Sequence, residues 1–123
     1  MEFTFNTQIV DVSVALNALK LYKAGQYKDA TAKLLDIIDV EPKNWDARLM
    51  LGACYFKTEQ FGAAQRAFRF IYENCPLSDN KSRALEGMQA ATFKLQPQKH
   101  LPMEFGGYVE RNVQNISRLS WID

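Results

Sequence analysis

The side chains that most often do chemistry are few in this 123-residue chain. Its one histidine, His100, sits between Pro97 and Pro102, where the ordinary role is that of a solvated loop residue. Two cysteines, Cys54 and Cys75, stand at a spacing unlike C-x-x-C or zinc pairs. One disulfide between them is possible in principle; two buried thiols, apolar in character, is the preferred reading. Cys54 falls inside an apolar helical segment, where burial makes a thiol inert rather than nucleophilic. Asp29, Asp36 and Asp39 read as the solvated face of a helix. There is no Gly-rich phosphate loop, no G-x-S-x-G elbow, and no His, Cys and carboxylate set suited to a metal. The expectation is a non-enzymatic chain with no cofactor and no metal. An active site shared between chains is the one enzymatic arrangement left open.

Composition narrows the classes further. Hydrophobic residues make up 47% and charged residues 24%, which excludes a disordered tail, a collagen-like chain and a disulfide scaffold. Lys and Arg number 15 against 14 Asp and Glu, so no net field draws the chain to nucleic acid. A domain of this length buries about two thirds of its extended surface and supports a core without staples. The N-terminal MEFTFNTQIV carries no Lys or Arg and makes a poor secretory signal. No run approaches the ~18 apolar residues that span a bilayer, so a cytoplasmic, soluble protein with no direct membrane insertion is expected.

Sliding the chain along itself until Leu21 falls on Tyr55 exposes its organisation. The same offset puts Tyr27 on Phe61, Ala30 on Ala64, Leu34 on Phe68, Ile37 on Ile71 and Pro42 on Pro76. Ala30, Leu34, Ile37 and Ile38 share one helical face, as do Ala64, Phe68, Ile71 and Tyr72. Each unit therefore reads as two short amphipathic helices ended by a proline, which cannot continue the ladder. Residues 80–95 read as one more helix, with Ala84, Leu85, Met88, Ala91 and Leu95 on its apolar side. Pro97, Pro102 and Gly106-Gly107 mark residues 96–107 as a non-helical connector. Beyond it, residues 108–123 place Val109, Val113 and Ile116 on one face, with Leu119 and Trp121 near the end, as in a short amphipathic helix. Residues 1–10 form an arm in which Phe3 and Phe5 alternate with polar residues.

A period of about 34 residues with this layout resembles the tetratricopeptide repeat (TPR) family. The segment 45–78 matches best, through Leu51-Gly52, Tyr55, Phe61, Ala64, Phe68 and Pro76. The segment 11–44 is less complete, with Ala18 where the family has glycine, but its turn Ala24-Gly25-Gln26-Tyr27 is typical. The resemblance implies an all-α fold over residues 11–95: a short α-solenoid of two helical hairpins plus a capping helix, followed by the C-terminal amphipathic helix. In the capping segment Glu86-Gly87 stands one residue late for the Leu-Gly pair, and a degenerate third repeat is the alternative.

In that family the first helices of successive repeats line a concave groove. Carried onto this chain, its positions are Val12, Ala15, Leu19, Tyr22 and Lys23, then Asp46, Leu49, Ala53, Phe56 and Lys57. TPR domains that grip the C-terminal carboxylate of heat-shock chaperones carry Lys and Asn where this chain has Ala15 and Leu19, so that ligand class is rejected. An apolar or amphipathic segment of another protein suits Leu19, Tyr22, Leu49 and Phe56 better. The opposing reading is that these residues are core beneath the terminal segments. The segment LGACYFKTEQFGAAQRAF also resembles the small TPR chaperones of bacterial type III secretion systems. A second class is a self-assembling scaffold subunit, a homo-oligomer in which Val109, Val113, Ile116, Leu119 and Trp121 dock into a neighbouring chain; packing back on the same chain is the plainer use of that tail.

Overall fold

The computed structural model describes residues 12–96. Over them the chain is all α: α1 (Val12–Lys23), α2 (Tyr27–Val40), α3 (Trp45–Lys57), α4 (Phe61–Asn74) and α5 (Ser78–Leu95). Each helix packs on the next, and α5 also reaches back to α3, giving two hairpins and a closing helix in a short solenoid-like row. The arm expected at 1–10, and the connector and C-terminal helix expected beyond Gln96, lie outside the described residues.

The two hairpin turns are built alike. Gly25 and Glu59, at matching positions of the two units, both have positive φ, 79° and 63°. Ala24, Gly25 and Gln26 donate their N–H groups to the carbonyls of Lys20, Tyr22 and Leu21. Thr58, Glu59 and Gln60 donate to those of Cys54, Phe56 and Tyr55, the same pattern one repeat later. A left-handed residue at this point satisfies the last carbonyls of the first helix while turning the chain.

The joints between units follow from proline chemistry. The helical conformation is disfavoured at the residue before a proline, and α2 and α4 end just short of Pro42 and Pro76. Glu41 and Cys75 close these ends by donating to Ile37 and Ile71, each at 2.8 Å. Asn44 then starts α3: its side-chain oxygen accepts from the Ala47 N–H at 3.1 Å, and its amide donates to Glu41 at 3.2 Å. Arg48 Nε donates to the Pro42 carbonyl at 2.7 Å and ties the joint from the other side.

Two apolar clusters fill the interior. One gathers Ala15, Ala18, Ala30, Leu34, Ile37, Ala47, Met50 and Cys54. The other gathers Leu49, Ala53, Ala64, Phe68, Ile71, Ala84, Ala90 and Ala91. Helix α3 feeds both, so Leu49 through Cys54 are buried without a break, as expected of a helix apolar all round. Phe68 is the centre of the second cluster. A Cβ built on Gly52 or on Gly87 would stand 2.6 Å from opposite edges of its ring, at Cε1 and Cε2 respectively. Helices α3 and α5 thus close on the ring from two sides, which only glycine permits at such separation.

Several expected faces are corrected here. Helix α5 begins at Ser78, two residues before the expected 80–95. Its buried residues are Asn80, Ala84, Gly87, Ala90 and Ala91; Leu85 and Met88 are half-buried and Leu95 is exposed. Small residues stand against the Phe68 ring, and Met88 packs on the same cluster from a half-buried position. Tyr72 is likewise exposed rather than core, with the Lys81 ammonium 5.6 Å from its ring centre.

Candidate functional site

The residues expected to line a groove separate into two groups. Ala15, Leu49 and Ala53 are fully interior: α1 packs on α2, and α5 packs on both α3 and α4. They shape the floor and offer no surface to a partner, which corrects their assignment as contact residues. Leu19, Tyr22, Phe56 and Lys57 are half-buried and Lys23 is exposed, so these five keep accessible atoms. Val12 opens α1. Val109, Val113, Ile116, Leu119 and Trp121, with His100, lie outside the described residues.

The accessible aromatics are arranged in a repeated pair. Tyr22 meets Tyr27 edge-on at 5.3 Å between ring centres, and Phe56 meets Phe61 edge-on at the same distance. Both pairs join the end of a first helix to the start of its second, at the same place in each unit. Edge-to-face contact holds each ring in one orientation while leaving part of its face available. Along α1, Leu19 and Lys23 also border an open cleft of about 390 Å³ with Leu16, Asn17 and Lys20.

Asp46 marks the other end of α3. Burial raises its carboxyl above the ordinary carboxylate range, opposed by the hydrogen bond from Asn80 and by the charge of Arg83. Asn80 Nδ2 donates to Asp46 Oδ1 at 3.4 Å, a polar link between α3 and α5. Asn80 escaped the sequence reading, although it stands one full repeat after Asp46 and the offset pointed to it. A second polar link joins α4 to α5, where Gln65 Nε2 donates to Thr92 Oγ1 at 2.7 Å. On the α3–α4 surface, the Arg48 guanidinium lies 4.3 Å from the centre of the exposed Phe70 ring, which leans on Trp45.

Cys54 and Cys75 are both buried free thiols. Burial pushes the Cys54 thiol up to about 11, with Thr31 beside it drawing it partly back; a thiol so raised is no nucleophile at neutral pH. Among the described residues no three His, Cys, Asp or Glu side chains come together as metal ligands. No helix among them is long and apolar enough to cross a membrane.

A tetratricopeptide repeat family model matches residues 21–69. That segment is similar to a TPR. The match runs from the end of α1, through α2 and α3, to within one turn and a half of the end of α4. It therefore contains both hairpin turns, both aromatic pairs and Phe68. TPR repeats generally mediate protein–protein contacts and are typically non-enzymatic. No curated protein and no solved structure matches the chain.

Proposed function

We propose that this chain is a non-enzymatic protein-interaction module that binds an apolar or amphipathic segment of another protein along its first helices. The observation that carries this reading is the repeated, partly exposed aromatic edge, Tyr22 on Tyr27 and Phe56 on Phe61, inside the TPR-like segment. Leu19 supplies apolar area beside it, and Lys23 and Lys57 supply charge at its border. Aromatic anchors in a partly desolvated surface dominate the binding energy of such contacts. A narrower form of the same reading is a cytoplasmic bacterial chaperone of the type III secretion kind, supported by the stretch from Leu51 to Phe68.

Native mass spectrometry of the untagged protein from its source cells tests this reading. A mass that includes a second polypeptide is expected, and Leu19→Glu with Phe56→Glu should abolish it while the helical circular dichroism stays unchanged. A second reading, a self-assembling subunit, is favoured by the apolar side chains at both ends of the row, Leu16 at 54% exposure and Leu95 at 50%. It predicts masses that are multiples of 14.1 kDa and nothing else.

A further inference from the structure

Helix α1 exposes a face that its counterparts use to seat another helix. In α3 that face is Ala47, Met50, Leu51 and Cys54, buried in one cluster with Ala30, Leu34 and Ile37 of α2. One period on, Ala84 and Met88 of α5 pack in the same way with Phe68 and Ile71 of α4. One period back, the same positions of α1 are Ser13, Leu16, Asn17 and Lys20, and all of them are exposed. With Leu19 and Lys23 they line the open cleft of about 390 Å³. The α2–α3 joint also gives the direction and register of a helix on such a face. Thr31, early in α2, lies beside the Cys54 thiol near the end of α3, so the seated helix runs opposite to its seat. Leu34 and Ile37 follow Thr31 by three and six positions and carry the burial.

We propose that this face of α1 is a seat for an acidic amphipathic helix of another protein, which lies on Ser13, Leu16, Asn17 and Lys20 as α2 lies on α3. The proposal rests on the interaction reading above and gives the partner its chemistry. Lys20 stands where α3 has the neutral Cys54, with Lys23 one turn further on, and α1 contains no Asp or Glu. An ammonium at that point selects a carboxylate on the incoming helix at the counterpart of Thr31, and like charge there is rejected. A carboxylate so early in a helix is favoured by that helix's own dipole as well. Apolar side chains three and six positions later then fall towards Leu16, the apolar part of the seat. The helices that play this part within the chain, α2 and α4, are engaged by α3 and α5, so in a second copy both are already in use.

A peptide made from α2 tests the seat. The probe is residues 27–40 carrying Thr31→Glu, labelled with fluorescein and stapled across Ala32 and Asp36, both exposed in α2, so that it is helical before it binds. Anisotropy titration on the full-length chain should show saturable binding, weakened about tenfold or more by Lys20→Glu. The Lys20→Glu chain should regain that affinity for the same peptide carrying Thr31→Lys instead. Binding indifferent to Lys20→Glu would overturn the proposal, as would no binding at all. Masses in multiples of 14.1 kDa that Leu16→Asp with Lys20→Glu reduces to the single chain would overturn it in favour of a second copy. A complex from source cells whose second polypeptide survives that double change would leave the interaction reading intact and overturn this seat; its loss, with helical circular dichroism unchanged, would support it.

Discussion

At the residue scale the molecule turns on Phe68. Its ring is held between Gly52 and Gly87, each with space for hydrogen alone. Gly52→Ala and Gly87→Ala should each cost about 1–3 kcal/mol, the range for overpacking a close-packed site. Phe68→Leu in the same chain should recover part of that loss, because the flat ring edge that meets the new methyl is gone. A urea-denaturation double-mutant cycle measures this coupling; strict additivity of the two changes would mean that the strain is relieved elsewhere. Cys54 sets a second residue-scale expectation. Its folded-state value is raised from 9.0 to about 11 by burial, so between those values the folded chain holds a proton that the unfolded chain releases. Stability therefore falls as pH rises through that window, by up to about 1.4 kcal/mol per pH unit, and is untouched by this thiol below it. Cys54→Ala should make the same titration of stability shallower above pH 9 and leave its shape below pH 8 unchanged.

At the scale of elements, the two turns use one backbone shape with two different residues. Gly25 adopts φ 79° without penalty, whereas Glu59 adopts φ 63° with a side chain that disfavours it. Glu59→Gly should raise stability by about 1 kcal/mol and Gly25→Ala should lower it by about the same, both read as shifts in thermal midpoint. The contrast also explains what was legible beforehand. The repeat offset located both hairpins, both proline joints and the turn at Gly25, because each rests on a local signal that recurs. The face of α5 was legible in part: Ala84, Ala91 and Met88 do meet the core, while Gly87 and Ala90 were missed and Leu95 is exposed, for a reason of packing. A helical period weighs Leu85, Met88 and Leu95 above Gly87 and Ala90, yet the large ring lies on the neighbouring helix and selects the small residues. The groove residues divided for the same reason: Leu49 and Ala53 share helix α3 with Phe56, and only the arrival of α5 decides which of them are covered.

For the whole molecule, the decisive feature is that α3 gives buried residues to both clusters, whereas the buried residues of α1 belong to one and those of α5 to the other. Stability in a row of helices is roughly a sum of units and the interfaces between neighbours. The main contact of α1 is with α2, whereas α5 is held by α4 and α3 together, with the Asn80–Asp46 and Gln65–Thr92 hydrogen bonds added. The α1 end should therefore open at lower free energy than the α4–α5 end. Leu34→Ala, which empties the cluster beneath α1 and α2, should cost about 2–5 kcal/mol there and accelerate amide exchange across residues 12–40, with a smaller effect in α4 and α5. Phe68→Leu touches α3, α4 and α5 and should accelerate exchange in all three. Native-state hydrogen exchange on both variants reads this difference directly. If both changed every helix by the same factor, the row would unfold only as one unit. An end that opens alone fits a binding face on the first helices, because the half-buried Leu19, packed on the first cluster, then adjusts to a partner while the Phe68 cluster holds the rest of the row in place.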